Sequence, residues 1–397
     1  MTEPFFLNAL GVLTALGSGR DATAAALFTD HLTWEQLCSA SATSATSPGA
    51  VVSPLPEIPS ALAIWNSRTH RLLLAILNQI RPQVEEAIEC FGPDRVGVVL
   101  GSSTSGIAEG EEAVDQLYHR GSWPSGYDYR QQEAGAPALF LARLLGLTAP
   151  AFVVATACSS SAKVFASARR LLRAGLCDAV LVGGVDTLCR FTQAGFGALE
   201  SLSASPRCNP FSRHRDGIHI GEGGALFLMS RAQAPVALLG VGESSDAYHV
   251  SAPDPSGEGA RLAMEAALAD AAMTPHHISY VNLHGTATRL NDSMESRVVY
   301  ALFGETPCSS TKALFGHTLG AAGAIEAAVL WLALHPEYNP HRAVPPHIWD
   351  GQADDQLAPL HLARPGACFV PGPTTAMLSN SFAFGGSNAA IILGHMP

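Results

Sequence analysis

The sequence predicts an α/β fold whose strands are covered on both faces. Three observations point there. Strand-like and helix-like segments alternate along the chain. Most strand candidates are short apolar runs ended by Gly, Ser or Thr, as buried strands are. Of the 397 residues, 47 % are apolar and only 14 % charged, which supplies a large interior. That length also exceeds one simple core and suggests two or three folding units.

Strands are expected over 95–100, 152–155, 179–182, 236–241, 280–283, 377–380 and 389–393. Helices are expected over 161–174, 259–272, 292–303 and 319–334. The first helix carries Val164, Phe165, Ala168, Leu171 and Leu172 at helical spacing and closes at Gly175, a residue suited to a left-handed cap. The Ser/Ala/Thr/Pro-rich stretch 39–56 is expected to be a surface loop, and the proline-rich stretch 336–373 mostly loop. A short internal echo is visible. Segments 152–158 and 280–284 both read as a buried strand with a reactive residue at its exit. Two similar halves meeting near residue 235 would bring both exits to one site, so the chain is divided into 1–235 and 236–397.

The formal charge of −11 argues against nucleic acid as the main partner. The 37 glycines and the alanine-rich stretches imply close helix–sheet packing. Met1-Thr2-Glu3-Pro4 has no basic region before the apolar residues, so no signal peptide is expected. No run of about 18 apolar residues occurs, so no membrane span is expected. Eight cysteines without a CxxC pair suggest free thiols in a reduced, cytoplasmic chain. Lysine occurs only at Lys163 and Lys312, so a lysine within a motif carries weight.

Cys158 leads the candidate residues. Most free cysteines are small buried hydrophobes. This one stands between an apolar strand and a small-residue helix, Thr156-Ala157-Cys158-Ser159-Ser160-Ser161. A helix N-terminus favours thiolate over thiol, so a lowered pKa is expected. His284 follows the strand at 280–283 and precedes Gly285, Thr286 and Thr288, whose hydroxyls suit an amide-rich ligand arm; on its own it reads equally as a loop histidine. His317 precedes a helix start made of small residues, and Lys312 lies five residues earlier. A nearby cation would keep the imidazole neutral. Glu326 could answer Lys312, as a purely structural ion pair would also do. The turn Phe384-Gly385-Gly386-Ser387-Asn388 could aim backbone N–H groups at a reacting oxygen, or be an ordinary turn. No CxxC pair accompanies the histidines, so no metal is expected.

Together these motifs resemble the β-ketoacyl-acyl-carrier-protein synthases. Residues 10–17 resemble that family's opening strand and turn. Arg215-Asp216-Gly217 with Gly221-Glu222-Gly223 resembles its mid-chain signature. The cysteine, both histidines, the Lys312 motif and the final turn follow in family order. The resemblance implies a thiolase-like fold of five layers, αβαβα, with two pseudo-repeated halves. It implies decarboxylative Claisen condensation of a Cys158-bound acyl chain with malonyl-acyl carrier protein. On this resemblance the N–H groups of Cys158 and Phe384 form the oxyanion hole. His284 and His317 polarise the malonyl thioester, Lys312 orients His317, and Glu326 shapes its surroundings. Thr286 and Thr288 hold the phosphopantetheine arm, and Phe384 gates entry. Thr104, Phe382 and Ala383 contribute to substrate binding. Arg68, Arg71 and Arg207 are expected to dock an acidic carrier protein. No cofactor is expected beyond the arm that the carrier brings, and a homodimer or a heterodimer with a related subunit is implied.

The same motifs sort among relatives. Thiolases need a second cysteine near the C-terminus, and the turn at 382–387 has none. His317 favours the elongating Cys-His-His set over the initiating Cys-His-Asn set. Chain-length-setting partners lack the cysteine. No acyltransferase or carrier segment follows, implying a free-standing synthase. Ala383 stands where elongating relatives have glycine, Ser387 where threonine is commoner, and 101–106 is polar for an acyl pocket. With the slightly short chain, these departures suggest a specialised polyketide or polyene pathway, aryl-primed assembly being one candidate. The alternatives are housekeeping fatty acid elongation, a non-catalytic chain-length-setting subunit, and an acyl transferase that releases no CO₂.

Overall fold

A computed structural model describes residues 4–29, 31–43, 49–370, 372 and 375–396. Its principal strands fall into two sets of five. The first is β1 (Phe5–Thr14), β2 (Val96–Gly101), β3 (Ala151–Val154), β4 (Ala179–Asp186) and β5 (Gly223–Ser230). The second is β6 (Val236–Ser245), β7 (Ile278–Asn282), β8 (Cys308–Ser309), β9 (Thr375–Phe382) and β10 (Ser387–His395). Read from the outer edge inward, their spatial orders match position for position: β3-β2-β4-β5-β1 and β8-β7-β9-β10-β6. Each set has two parallel pairings followed by two antiparallel ones. The sets join where Phe5 and Phe6 pair with Leu238 and Ala237.

Six helices matter for the site: α1 (Arg68–Asn78), α2 (Ala136–Leu145), α3 (Ser160–Arg173), α4 (Glu258–Asp270), α5 (Arg289–Phe303) and α6 (Ala322–Leu334). The helices α3 and α6 form the middle layer. They touch each other, and each packs on strands of both sets. On the outer faces, α1 and α2 cover the first set, while α4 and α5 cover the second. The result is the five-layer, thiolase-like arrangement. All residues of α6 are buried, and Glu326 is the one charged side chain along it. Small residues make its crossing with α3 possible. A Cβ added at Gly323 would lie 2.6 Å from the backbone nitrogen of Ala162.

Several expectations need correction. The predicted loop at 39–56 begins inside a helix, Trp34–Thr43, while residues 44–48 lie outside the described residues. The helix expected over 319–334 opens with a 3₁₀ turn, Leu319–Ala321. Strand β5 went unrecognised because its sequence, GGALFLMS, has no β-branched residue and reads equally as helix. Helix α1 was also missed, although Ser67 caps it by accepting from the His70 N–H. The internal echo is real but was paired wrongly. By sheet position β3 corresponds to β8, and β2 corresponds to β7. Cys158 therefore answers to His317, not to His284. The two-residue strand β8 was too short to be seen as a strand.

The α3–α6 crossing yields a test. Gly323→Ala should lower stability by about 1–3 kcal/mol through overpacking. Gly126→Ala, where a Cβ meets nothing within 4 Å, should stay within about 0.5 kcal/mol. Urea midpoints of the two variants check this.

Candidate active site

Cys158 sits two residues before α3, on a turn held by its neighbours. Ala157 takes a left-handed conformation, φ 51°. The Ser160 hydroxyl accepts from the Thr156 N–H at 2.9 Å and donates to the Ala157 carbonyl at 2.6 Å. This directs the sulfur into a cavity while leaving it 5 % exposed. His317 Nε2 lies 3.1 Å from Sγ. The Phe384 backbone N–H lies where it favours the ionised form of the sulfur. The lowered pKa expected from the helix terminus is not what burial produces. Burial pushes the thiol up to about 11, while the Lys312 charge and the Phe384 N–H pull it the other way. The resting nucleophile is a thiol that needs a base.

That base is close. The rings of His284 and His317 are 5.4 Å apart, at 86° to each other. One donor atom of each, together with Sγ, lies within 4.8 Å of the others. Burial first, then the Lys312 charge, holds both imidazoles well below the ordinary histidine value. Both are therefore neutral. The Nδ1 atom of each is buried and has no hydrogen-bond partner among the described residues. Either tautomer is thus open to each ring. The sulfur and two imidazoles also form the donor set of a soft metal site, but Lys312 adds positive charge beside it.

The scaffold holding these rings differs from the expected one. Lys312 Nζ bonds the His284 carbonyl at 2.5 Å and pairs with Glu326. It grips the backbone of His284; His317 feels its charge without a hydrogen bond to it. His317 is held instead through its backbone, donating to the His219 carbonyl at 2.7 Å and accepting from Gly221 at 2.9 Å. Three buried carboxylates outside the predicted motifs brace the site. Glu295 of α5 accepts the His284 and Gly285 N–H groups, one on each oxygen, at 2.7 Å. Asp292, one turn earlier, accepts the Phe211 N–H at 2.8 Å. Asp186 ends β4 and ties the 102–104 loop to Ala321, just before α6. Burial raises all three, Asp292 to about 6 and Glu295 to about 7. Their signal was available: acids three apart on one helix face, and an acid closing an apolar strand.

The cavity is about 280 Å³ and opens to solvent. Cys158, His284 and His317 lie at its base, and Thr286, Thr288, Phe382, Ala383 and Phe384 line it. The two threonine hydroxyls are 2.9 Å apart. The Phe384 ring rests 5.5 Å from that of Phe196. Gly385 and Gly386 follow in left-handed conformations, φ 80° and 74°. Ala383 has φ −104° and ψ 153°, extended backbone that needs no glycine. Thr104 does not line this cavity; its hydroxyl is bound to Asp186 at 2.8 Å.

The three arginines chosen for docking are committed elsewhere. Arg68 binds Glu222 and the Val51 carbonyl. Arg71 binds Glu57 and Asn66. Arg207 is buried and donates to the carbonyls of Leu37, Ala313 and Leu314. Each guanidinium thus already has an acidic or a carbonyl partner within the chain. No helix among the described residues is long and apolar enough to cross a membrane.

Comparison with known proteins agrees with this geometry. Residues 72–234 match the model of the beta-ketoacyl synthase N-terminal domain, and residues 236–348 match that of the C-terminal domain. The 3-oxoacyl-[acyl-carrier-protein] synthase 2 of Rhizobium meliloti (strain 1021) is 34 % identical over 75 % of this chain and 73 % of its own. That of Staphylococcus aureus is 31 % identical over 75 % of this chain and 77 % of its own. Among solved structures, a ketosynthase (ApeO) in complex with its chain length factor (ApeC) from Xenorhabdus doucetiae aligns with TM-score 0.88. That match is 44 % identical and covers 99 % of this chain and 98 % of that one. The ishigamide ketosynthase/chain length factor aligns with TM-score 0.84 at 25 % identity over the whole of both chains.

The thiol state of Cys158 can be read directly. Its alkylation by iodoacetamide, followed by peptide mass, should rise about tenfold per pH unit from 7 to 9. A plateau by pH 8 would show that the resting sulfur is already thiolate.

Proposed function

Because this chain belongs to the β-ketoacyl synthase family, we propose that it joins a Cys158-bound acyl chain to malonyl carrier protein with loss of CO₂. One observation carries this reading: the Cys158 thiol lies 3.1 Å from a neutral His317, with a second neutral imidazole beside it.

In the first step His317 Nε2 takes the thiol proton as sulfur attacks the acyl thioester. Backbone N–H groups of Cys158 and Phe384 stabilise the tetrahedral oxyanion. Its collapse breaks the carrier's C–S bond, and the leaving thiol receives the proton. In the second step neutral N–H groups of His284 and His317 donate to the malonyl thioester carbonyl. The bond to the malonyl carboxylate breaks, CO₂ departs, and the electron pair becomes an enolate. The enolate carbon then attacks the Cys158 thioester. The sulfur leaves as thiolate and takes a proton from solvent, and the 3-oxoacyl chain departs on the carrier.

The remaining residues position these groups. Lys312 fixes the His284 carbonyl and keeps both rings neutral, and Glu326 balances its charge. Glu295 clamps the His284 backbone from the other side. Thr286 and Thr288 suit the amides of the carrier's arm, and Phe384 swings on its two glycines as the gate. We assign residues 1–235 to a half carrying the nucleophile and 236–397 to a half carrying both histidines and the gate. No cofactor is invoked beyond the carried phosphopantetheine, and the cytoplasm is the proposed location.

We further propose that the chain works as one subunit of a pair, in specialised polyketide-type assembly. Identity with the ketosynthase–chain length factor structure, 44 %, exceeds the 31–34 % found with the synthase 2 relatives. Strand β3 is the free edge of its sheet, and its Phe152 is 37 % exposed. An open strand edge with an apolar side chain favours a partner there.

Incubation with acyl and then malonyl carrier protein should yield CO₂ and a 3-oxoacyl product, read by intact carrier mass. Cys158→Ala should abolish the acyl adduct; normal elongation by that variant would sink the assignment. Cys158→Gln should release CO₂ without condensation. His284→Ala and His317→Ala should each slow CO₂ release by about 10²–10⁴-fold. Acyl transfer with no CO₂ at all would point to the non-decarboxylating reading.

A further inference from the structure

We propose that Arg289 recognises the phosphate of the carrier's phosphopantetheine arm, an inference that rests on the condensing reading above. The strand exit after β7 forms one wall of the cavity and runs from its base to its mouth. His284 is 2 % exposed and Thr286 6 %, Thr288 is half-buried, and Arg289 is exposed. All four line the same cavity.

Arg289 is the one arginine or lysine among the described residues that line it. No hydrogen bond or ion pair to its guanidinium is found among the described residues, unlike Arg68, Arg71 and Arg207. The acids at the same mouth do not answer it. Asp216 is occupied by Ser203, Ala204 and Ser205. Asp246 is occupied by Asn388 and by the Asp254 N–H. Glu200 is exposed on the rim and makes no ion pair within 4.0 Å of Arg289 among the described residues. Asp292, in the first turn of α5, points inward to Phe211.

The chemistry of the arm selects the phosphate. Its thioester must reach Cys158 at the base. Its two amides then fall along the threonine hydroxyls. The anionic end therefore emerges beyond Thr288, where the next residue is Arg289. A guanidinium offers a planar fork to two phosphate oxygens. Thr288 makes no capping bond to α5, since its hydroxyl faces Thr286, so the positive helix end adds to the same potential.

The test compares malonyl-phosphopantetheine with malonyl-pantetheine, identical but for the phosphate, as free thioesters given to acylated enzyme. The wild type should prefer the phosphorylated thioester by about tenfold or more in kcat/KM, through KM. Arg289→Ala should bring that ratio close to one, with Arg289→Lys between. If only carrier-borne substrate is turned over, the same ratio is read from inhibition constants of the two free thioesters. A wild-type ratio near one, or an undiminished ratio in Arg289→Ala, overturns the proposal. Loss confined to carrier-borne substrate, with the ratio unmoved, also overturns it and assigns Arg289 to acidic side chains of the carrier. Absence of CO₂ release from carrier-borne malonate by the wild type is a different failure, that of the condensing reading itself.

Discussion

The site depends on one buried ion pair. Lys312 and Glu326 meet with neither side chain exposed to solvent. Removing two charges from water is costly, and their attraction offsets it only with good geometry and further hydrogen bonds. Lys312 has such a bond, to the carbonyl of His284. Glu326 has less, since its second oxygen finds no partner among the described residues, and burial lifts its carboxyl to about 7. A cation kept here rather than at the surface acts over a short distance in a poorly screened interior. It suppresses protonation of both imidazoles and favours ionisation of Cys158. One charge thus prepares the base and eases the nucleophile together.

The repeated fold explains why these groups converge. The equivalent strands β1 and β6 run antiparallel where the sets join, and the exits of β3, β7 and β8 carry Cys158, His284 and His317 to one cavity. The positions are equivalent but the chemistry is not. After β3 comes Cys158, and after its counterpart β8 comes His317. After β7 comes His284, whereas the exit of its counterpart β2 carries the 102–104 loop bound by Asp186. Thr104 is therefore part of a brace in the first half, at the place where the second half carries a reactive residue. The middle helices complete the arrangement. Helix α3 starts beside the nucleophile, α6 brings Glu326 under Lys312, and Gly323 lets the two cross closely.

What could be read in the sequence was local. Apolar runs ending in Gly, Ser or Thr located most strands, and residue types at strand exits located Cys158, His284 and His317. Properties set by tertiary contacts could not be read that way. A helix terminus predicts a lowered thiol pKa, yet complete burial, invisible in the motif, pushes it up. Arg68 looked like a surface cation because Glu222, 154 positions away in the chain, is not its neighbour in sequence. Lys312 stands out by its rarity; the resemblance has it orient His317, while folding pairs it with Glu326 and the His284 carbonyl. Glu295 and Asp292 carried a legible pattern, two acids three apart, which gains meaning only once α5 is seen to face the strand exit.

The order of charge along the cavity bears on the reaction itself. Beneath the base lies Lys312, paired with Glu326. Above it come two neutral imidazoles, then two hydroxyls, with the apolar rings of Phe382 and Phe384 alongside. Arg289 stands at the mouth, where Glu200, Asp216 and Asp246 also line the cavity. A cation bonded to the malonyl carboxylate would stabilise the ground state and oppose the loss of CO₂. None of the cavity-lining side chains at the base supplies one. Electronegativity there is answered only by N–H groups aimed where the enolate oxygen develops, which is the form of stabilisation that favours the transition state over the bound anion. Placing the free cation at the far end lets the site attract an anionic arm without holding back the anion that must be destroyed.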